Sequence, residues 1–410
     1  MSRRIGVWTI GAFGDVATCM AVGIEAIKAG LASTGGLVTE LDDFASVGLV
    51  PLENIVFGGY DIRRTDLAET AARFAQQNGA IDTALLAKLN PALREISANV
   101  RDGLLLNCGE AVERLTTLSL DLDALPLRQA TERIGRDINE FRERHELESV
   151  VVINLASAEA GCPEGEWQQD LDALRAAIAN DDRGAIPAGV LYAYAAMENG
   201  FPYINFTSSL GSSCPAMDQL ANLRKVPHMG KDGKTGETLV KTVLAPLFAA
   251  RNLKVHSWES HNILGNRDGA VLNVPANKAA KLRDKNEVLR KILKDDDVHS
   301  NVRIDYVPSL GDWKTAWNFI HFSGFLDVKM SLQFTWQGAD SILAAPLAID
   351  LVRLADLALV RGEKGSMPHL ASFFKNPYGV EEHDFARQFD LLEEYARTLS
   401  SPADGRRVTP

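Results

Sequence analysis

Short apolar runs alternate with long amphipathic stretches over about the first 250 residues of this 410-residue chain. The opening IGVWTIGAFGDVATCMAVGIEAIKAG predicts a buried strand, a glycine turn and a helix that ends at Gly30. Further apolar runs bounded by turn residues lie at 54–59 (NIVFGG), 150–156 (VVVINLA) and 202–209 (PYINFTSS). Strands that alternate with helices form parallel sheets covered on both faces. The pattern therefore predicts an α/β fold with a Rossmann-like doubly wound parallel sheet.

The pattern changes after residue 250. The runs KVHSWESHNILGN, NVRIDYVPSL and DVKMSLQFTWQGA predict strands in a sheet with mixed or antiparallel pairing. From residue 341 a long apolar pattern, SILAAPLAIDLVRLADLALVRG, predicts a helix that returns the chain to the first domain. We therefore expect a Rossmann-like domain over 1–250 plus 341–410, with an inserted α+β domain over 251–340.

Composition narrows the range of partners. The formal net charge is -11 and the acidic residues are spread along the chain, so we expect no binding to nucleic acid or to an anionic membrane. The four cysteines lie far apart without a CxxC pair, which argues against a disulfide framework or a thiolate zinc site and for a reducing cytoplasm. No apolar segment reaches the length of a membrane span.

The glycine turn is the first candidate binding site. Glycines at the start of a helix let backbone N–H groups approach a pyrophosphate closely. Phe13 takes the place of the second glycine in the G-x-G-x-x-G pattern, so dinucleotide binding and a plain strand–turn–helix remain alternatives. Asp61, after the next apolar run, either contacts the ribose hydroxyls of a dinucleotide or caps a helix. The predicted cofactor-binding residues are Gly11, Ala12, Phe13, Gly14, Asp15, Val16 and Asp61.

The segment GKDGKTGETLVK at 230–241 contains the letters GKT of a phosphate-binding P-loop. A P-loop requires a glycine where His228 stands, and it follows a buried strand. The preceding residues are polar and interrupted by Pro227, so no buried strand is expected there. We therefore do not expect this segment to be a P-loop.

Lysines and aspartates supply the candidate catalytic groups. Lys281 and Lys285 lie four residues apart on one predicted helix face, which is either an ordinary solvated face or a clamp for phosphate and oxyanions. Lys314 and Lys375 each lie alone among aromatic residues. There a lysine either has the lowered pKa of a catalytic amine or extends its ammonium to the surface. No EF-hand or zinc-type spacing relates the carboxylates. These further candidates are Lys314, Lys375, Asp232, Asp268 and Asp340.

Several sequence blocks occur in the order found in one known family. GKTGETLVKTVLAPLF, HNILGNRDG, KAAKLRDK, YVPSLGDWKTAW, ILAAPLAIDLVRLADLA and SFFKNP resemble the myo-inositol-1-phosphate synthase family, particularly its shorter archaeal and bacterial form. The resemblance runs from residue 5 to about residue 380. It implies a homotetramer, joined through the sheet of the inserted domain, that converts D-glucose 6-phosphate to 1D-myo-inositol 3-phosphate. In the implied cycle NAD+ oxidises the C4 hydroxyl, the ketone acidifies C5, C6 attacks the C1 aldehyde, and NADH reduces the ketone.

The resemblance also implies a role for each candidate residue. Lys281 and Lys285 would bind phosphate and stabilise oxyanions, Lys314 would lie near the C5 and C1 oxygens, and Lys375 would assist transfer of hydride and proton at C4. The three aspartates named above would line the same pocket. The substrate contacts would include Ser208, Ser209 and Asn266.

Some questions stay open at the level of sequence. NAD rather than NADP is expected from the resemblance and from the absence of an obvious arginine for a 2′-phosphate. The archaeal-type members resemble metal-assisted enzymes, which leaves the need for a divalent ion open. The alternatives to the synthase are an NAD-dependent dehydrogenase of a phosphorylated sugar and a non-catalytic relative with the same fold.

Overall fold

The larger of two sheets is parallel. The computed structural model describes residues 3–116, 119–273, 289–295 and 297–400. In this part of the chain, seven strands pair in the order β11–β6–β5–β4–β1–β2–β3, so the predicted doubly wound fold is confirmed. The order reverses between β1 and β4, where sheets of this type bind their ligands. The strands are β1 (Ile5–Ile10), β2 (Ile55–Asp61), β3 (Val100–Asp102), β4 (Ser149–Asn154), β5 (Tyr203–Asn205), β6 (Pro227–Gly230) and β11 (Gly365–Ser366).

The second sheet is mixed, as predicted. Its four strands pair in the order β10–β9–β7–β8, with β7 and β8 parallel and the other two pairs antiparallel. They are β7 (Lys254–Leu264), β8 (His299–Tyr306), β9 (Trp313–Ser323) and β10 (Lys329–Ala339). The division of the chain at residues 250 and 341 stays a prediction.

Helices cover both faces of the parallel sheet. Among the described residues no helix is both long and apolar enough to cross a membrane. The helices are α1 (Asp15–Lys28), α2 (Leu67–Asn78), α3 (Thr83–Ser97), α4 (Glu110–Glu113), α5 (Asp121–Ala124), α6 (Leu127–Arg144), α7 (Leu171–Ala179), α8 (Ala188–Glu198), α9 (Pro215–Arg224), α10 (Glu237–Ala250), α11 (Arg267–Leu272), α12 (Asp340–Val360) and α13 (Phe385–Ser400).

Strand β1 shows why these apolar runs become central strands. Its six residues are all buried, because successive side chains point to opposite faces and both faces are covered. Trp8 and Ile10 belong to the core that contains residues of α6 and α8. Ile5 and Val7 belong to the core that contains residues of α1 and α12. The helix that begins at Asp340 thus packs with β1 and α1, while the return of the whole segment 341–410 to the first domain stays a prediction.

The segment at 230–241 differs from its prediction in one respect. A buried strand, β6, does precede it, and its residues pair with those of β5. The sequence obscured this strand because it begins with Pro227, and proline is tolerated at the first position of a strand. After β6 the backbone pairs with the chain near residue 375: the Lys375 N–H donates to the Asp232 carbonyl at 2.7 Å and the Lys234 N–H to the Phe373 carbonyl at 2.8 Å. The segment thus forms part of a wall and not a phosphate-wrapping loop.

Candidate active site

One cavity brings together residues from both sheets. The glycine turn, the ends of β2 and β4 and the loop after β5 line it on the side of the parallel sheet. Lys314 at the start of β9 and Asp340 at the start of α12 line it from the opposite side. The cavity therefore lies at the carboxyl ends of the parallel strands, where ligands of doubly wound folds bind.

The glycine turn has the geometry of an anion-binding site. Gly11 has φ of +87°, and a Cβ there would lie 3.2 Å from the Cα of Ala156, so both conformation and space favour glycine. No side chain caps the N-terminus of α1, which leaves first-turn N–H donors available to an anion. Gly14, Asp15 and Val16 line the cavity at this point. The turn thus fits the pyrophosphate of a dinucleotide.

Asp61 lies at the end of β2 and holds the glycine turn. The Phe13 N–H donates to Asp61 Oδ2 at 2.7 Å, and the Arg63 backbone N–H and Nε donate to Oδ1 at 3.0 Å each. Helix α2 is capped by Asp66, so the interpretation of Asp61 as a helix cap is wrong. The side chains of Ala12 and Phe13 are buried, and neither residue lines the cavity.

Lys375 and Asp232 form a buried ion pair on the cavity wall. Lys375 Nζ donates to Asp232 Oδ1 at 2.7 Å, and both residues line the cavity. Their side chains are 9% and 6% exposed. The pairing of the two backbone segments described above places these side chains next to each other, although 143 residues separate them in sequence.

Lys314 and Asp340 form a second pair. Lys314 Nζ lies 3.5 Å from Asp340 Oδ1, and Thr235 Oγ1 lies 3.3 Å from the same oxygen. Lys314 enters at the start of β9 opposite Gly338 of β10, and Asp340 follows directly after β10. The β9–β10 hairpin therefore sets the spacing of this pair.

Asp312 joins the elements that carry these groups. It is buried and accepts from Asn266 Nδ2 at 3.0 Å, from the Ser341 N–H at 2.8 Å and from Ser341 Oγ at 2.8 Å. Asn266 also caps α11 by accepting from the Gly269 N–H at 3.0 Å, and Asp268, in the first turn of that helix, lines the cavity. Burial raises the pKa of Asp312 to about 6.

Glu159 is a cavity residue that the sequence analysis missed. Its Oε1 accepts from the Gly189 N–H at 2.7 Å, and its own N–H donates to Ser209 Oγ at 2.9 Å. Burial raises the pKa of Glu159 to about 7. Ser208 lines the cavity, whereas Ser209 supports the Glu159 loop. The available signal was an acidic residue in the loop after the fully buried strand β4.

Two predicted lysines cannot be placed. Lys281 and Lys285 lie outside the described residues. Within the described residues, no group of three or more His, Cys, Asp or Glu side chains is arranged to hold a metal ion.

The doubly wound sheet, its glycine turn and the lysine–carboxylate pairs define a dinucleotide-binding protein of the Rossmann class. Comparison with known sequences narrows the class further. The chain belongs to the myo-inositol-1-phosphate synthase family, whose profile matches residues 5–397.

Individual relatives agree with this membership. The chain is similar to inositol-3-phosphate synthase 1 of Bacteroides thetaiotaomicron, at 35% identity over 97% of this chain and 95% of that one. It is also similar to inositol-3-phosphate synthase of Spirodela polyrhiza, at 29% identity over 87% of this chain and 74% of that one.

Solved structures show the same fold. The inositol-3-phosphate synthase of Caenorhabditis elegans has a TM-score of 0.87 at 24% identity, over 98% of this chain and 87% of that one. A myo-inositol-1-phosphate synthase-related protein of Thermotoga maritima has a TM-score of 0.78 at 23% identity, over 96% and 98% of the two chains.

Proposed function

We propose that this protein converts D-glucose 6-phosphate to 1D-myo-inositol 3-phosphate, also called L-myo-inositol 1-phosphate. The observation that carries the proposal is that one cavity joins a dinucleotide-type glycine turn to two lysine–carboxylate pairs. Family membership points to the same reaction. NAD supplies an internal hydride acceptor and donor, so the overall reaction is an isomerisation without net oxidation.

The carbon skeleton of the product fixes where oxidation occurs. The ring closes by a bond between C6 and C1, so C6 must become the nucleophile. Only a carbonyl at the neighbouring C5 acidifies a C6–H bond. Oxidation therefore occurs at C5. The resemblance had led us to expect it at C4. Bound NAD would accept hydride from the C5 carbon while the C5 hydroxyl loses its proton to a base. C6 then loses a proton and attacks C1, whose oxygen takes up a proton, and the return of hydride to C5 with a proton to its oxygen would complete the isomerisation.

The side chains of the cavity suit these steps. Negative charge develops on the C5 oxygen during enolisation and on the C1 oxygen during ring closure, and an ammonium group stabilises such charge in a site shielded from water. We assign this role to Lys314. We assign proton transfer at the oxygen of the oxidised carbon to Lys375, which Asp232 holds in position. Lys281 and Lys285 are assigned to the phosphate.

Three further predicted residues are assigned to substrate binding. Ser208, Asn266 and Asp268 line the cavity and are assigned to the sugar hydroxyls. Carboxylates are also ligands that Mg²⁺ accepts, so a divalent ion belongs among the variables of the assay.

The test is incubation of the purified protein with glucose 6-phosphate and NAD+, with and without Mg²⁺. Inositol phosphate is followed by chromatography and NADH by absorbance in the same sample. The proposal expects inositol phosphate without accumulating NADH. Steady NADH release without cyclised product would instead identify a dehydrogenase of a phosphorylated sugar. If neither product forms in any condition, the protein is a non-catalytic relative or acts on another substrate.

We also propose a homotetramer joined through the second sheet, whose strands all lie in the predicted inserted domain over 251–340. One face of this sheet is open among the described residues, and there Trp317 and Phe319 stack with ring centroids 6.3 Å apart. The Trp317 residue is 42% exposed. Exposed aromatic residues on an open sheet favour burial between subunits. Four free cysteines are consistent with our placement of the enzyme in the reducing cytoplasm.

A further inference from the structure

Arg63 lies where a doubly wound fold meets the adenosine ribose of a dinucleotide. It follows β2 by two residues and lines the cavity beside the glycine turn. In this fold the residue at the end of β2 usually is an acidic group that accepts from the ribose hydroxyls. Here that residue is Asp61, and its carboxylate already has other partners.

The acceptor sites of Asp61 are taken up within the protein. A carboxylate offers about four lone-pair positions. Oδ2 accepts from the Phe13 N–H at 2.7 Å and from Arg63 Nη2 at 3.2 Å, while Oδ1 accepts from the Arg63 N–H and Nε at 3.0 Å. The side chain of Asp61 is 2% exposed, so water does not compete for it. Asp61 thus orients the turn and the guanidinium.

Arg63 itself retains an unused donor. Its Nη1 is buried and has no hydrogen-bond partner among the described residues. A buried donor without an acceptor is costly, and such groups usually mark a place where a partner binds. The side chain is 18% exposed and is fixed through Nε and Nη2, so Nη1 has little freedom to reach another acceptor. The surrounding charge is mixed, because the Asp15 carboxyl interacts with both Arg63 and Arg73.

We propose that Arg63, and not Asp61, is the residue that hydrogen-bonds the 2′ position of the adenosine ribose. The acceptor is an oxygen: the 2′-hydroxyl of NAD or the 2′-phosphate of NADP. This proposal rests on the dinucleotide site of the proposed function but not on the cyclisation chemistry. It bears on the expectation of NAD over NADP, which rested in part on the absence of an obvious arginine for a 2′-phosphate.

The experiment measures dinucleotide binding in the absence of sugar. Wild type, Arg63→Met and Arg63→Lys are titrated with NAD+ and, separately, with NADP+ by isothermal calorimetry. Arg64→Met is the matched control, because Arg64 is the next residue in sequence, its side chain is 69% exposed, and it pairs at the surface with Asp102. Thermal unfolding checks that each variant is folded. Arg63→Lys keeps a cation beside Asp61 and decides the question if Arg63→Met does not fold.

A hydrogen bond from a charged donor leads us to expect at least about tenfold weaker binding of one or both dinucleotides in the Arg63 variants, with Arg64→Met unchanged. Selective loss of NAD+ binding identifies the hydroxyl, and greater loss of NADP+ binding identifies the phosphate. Unchanged affinity for both dinucleotides in a folded Arg63 variant overturns the proposal while leaving the synthase intact. If wild type binds neither dinucleotide, both this proposal and the proposed function fail.

Discussion

The ammonium of Lys375 lies 2.7 Å from the carboxylate of Asp232 in a cavity wall that both side chains enter from distant parts of the chain. The pair is nearly enclosed, so its Coulomb attraction is only weakly screened by water. Each charge would be expensive to bury without the other.

Lys375→Met is expected to lower kcat by at least about 100-fold, because proton transfer by a positioned side chain contributes about that much or more. It should also lower the free energy of unfolding by about 3–5 kcal/mol, because Asp232 loses the cation that offsets its burial. Steady-state kinetics and urea unfolding measure the two effects. The exposed Lys364→Met is the control and should change neither. Near-normal kcat in Lys375→Met would remove this lysine from the mechanism.

Asp312→Asn tests whether Asp312 positions the lysine–carboxylate groups. Asparagine has one acceptor oxygen, so the variant loses the bond either from the Ser341 N–H or from Asn266 Nδ2, and the start of α12 with its Asp340 should shift. We expect kcat to fall more than about tenfold, since misplacement near 1 Å can cost about 100-fold, while calorimetric affinity for NAD+ stays unchanged. The exposed Asp327→Asn should behave as wild type. A loss of stability with normal kcat would reduce Asp312 to a structural role.

Glu159→Gln should change how stability depends on pH. The pKa of Glu159 is raised to about 7 in the folded protein from 4.5, so the folded state binds more protons between these values. The contribution of Glu159 to the free energy of unfolding of the wild type therefore falls as pH rises from about 4.5 to 7. Glutamine keeps an oxygen for the Gly189 N–H but does not ionise. Urea unfolding at pH 5 and pH 8 should show the variant gaining relative to wild type at the higher pH, with Glu164→Gln as the exposed control.

For Lys234 we expect a pH dependence of stability with the opposite sign. Burial and the charge of Lys375 lower its pKa to about 7 from 10.5, and its amine donates to Gln388 at 2.5 Å. Between pH 7 and 10.5 the unfolded chain binds more protons at this group, so its contribution to stability rises with pH. The free energy of unfolding of Lys234→Met, taken relative to that of wild type, should therefore fall as the pH is raised from 7.5 to 9.5. An equal pH slope in both proteins, with the exposed Lys254→Met as reference, would contradict the lowered pKa.

Trp317→Glu tests the proposed tetramer. A carboxylate on the open face of the second sheet should be too costly to bury between subunits, so the variant should sediment as a smaller species than wild type. Analytical ultracentrifugation at several concentrations measures this. Thr335→Glu, on the neighbouring strand opposite Trp317, tests whether the same face is involved. A monomeric wild type would end the proposal.

The strands, helices and lysine pairs differ in how well the sequence predicted them. Strand β1 was readable because both of its faces are buried, which leaves an unbroken apolar run. Strand β6 was missed because it is short and opens on Pro227. Lys314 and Lys375 were identified by their sequence blocks, and both line the cavity. The partners of Asp61 and the environment of Glu159 depend on contacts between distant segments, which local patterns do not encode.

The pairing of the segment after β6 with the chain near residue 375 has a consequence for biosynthesis. Lys375 and the backbone that holds Asp232 come together only after residue 375 has been made. The parallel sheet and the glycine turn can form from earlier parts of the chain, but a nascent polypeptide that ends before this lysine has an incomplete cavity wall. Assembly of this wall therefore waits for the synthesis of residue 375, and a chain cut short before that point lacks the ammonium that pairs with Asp232.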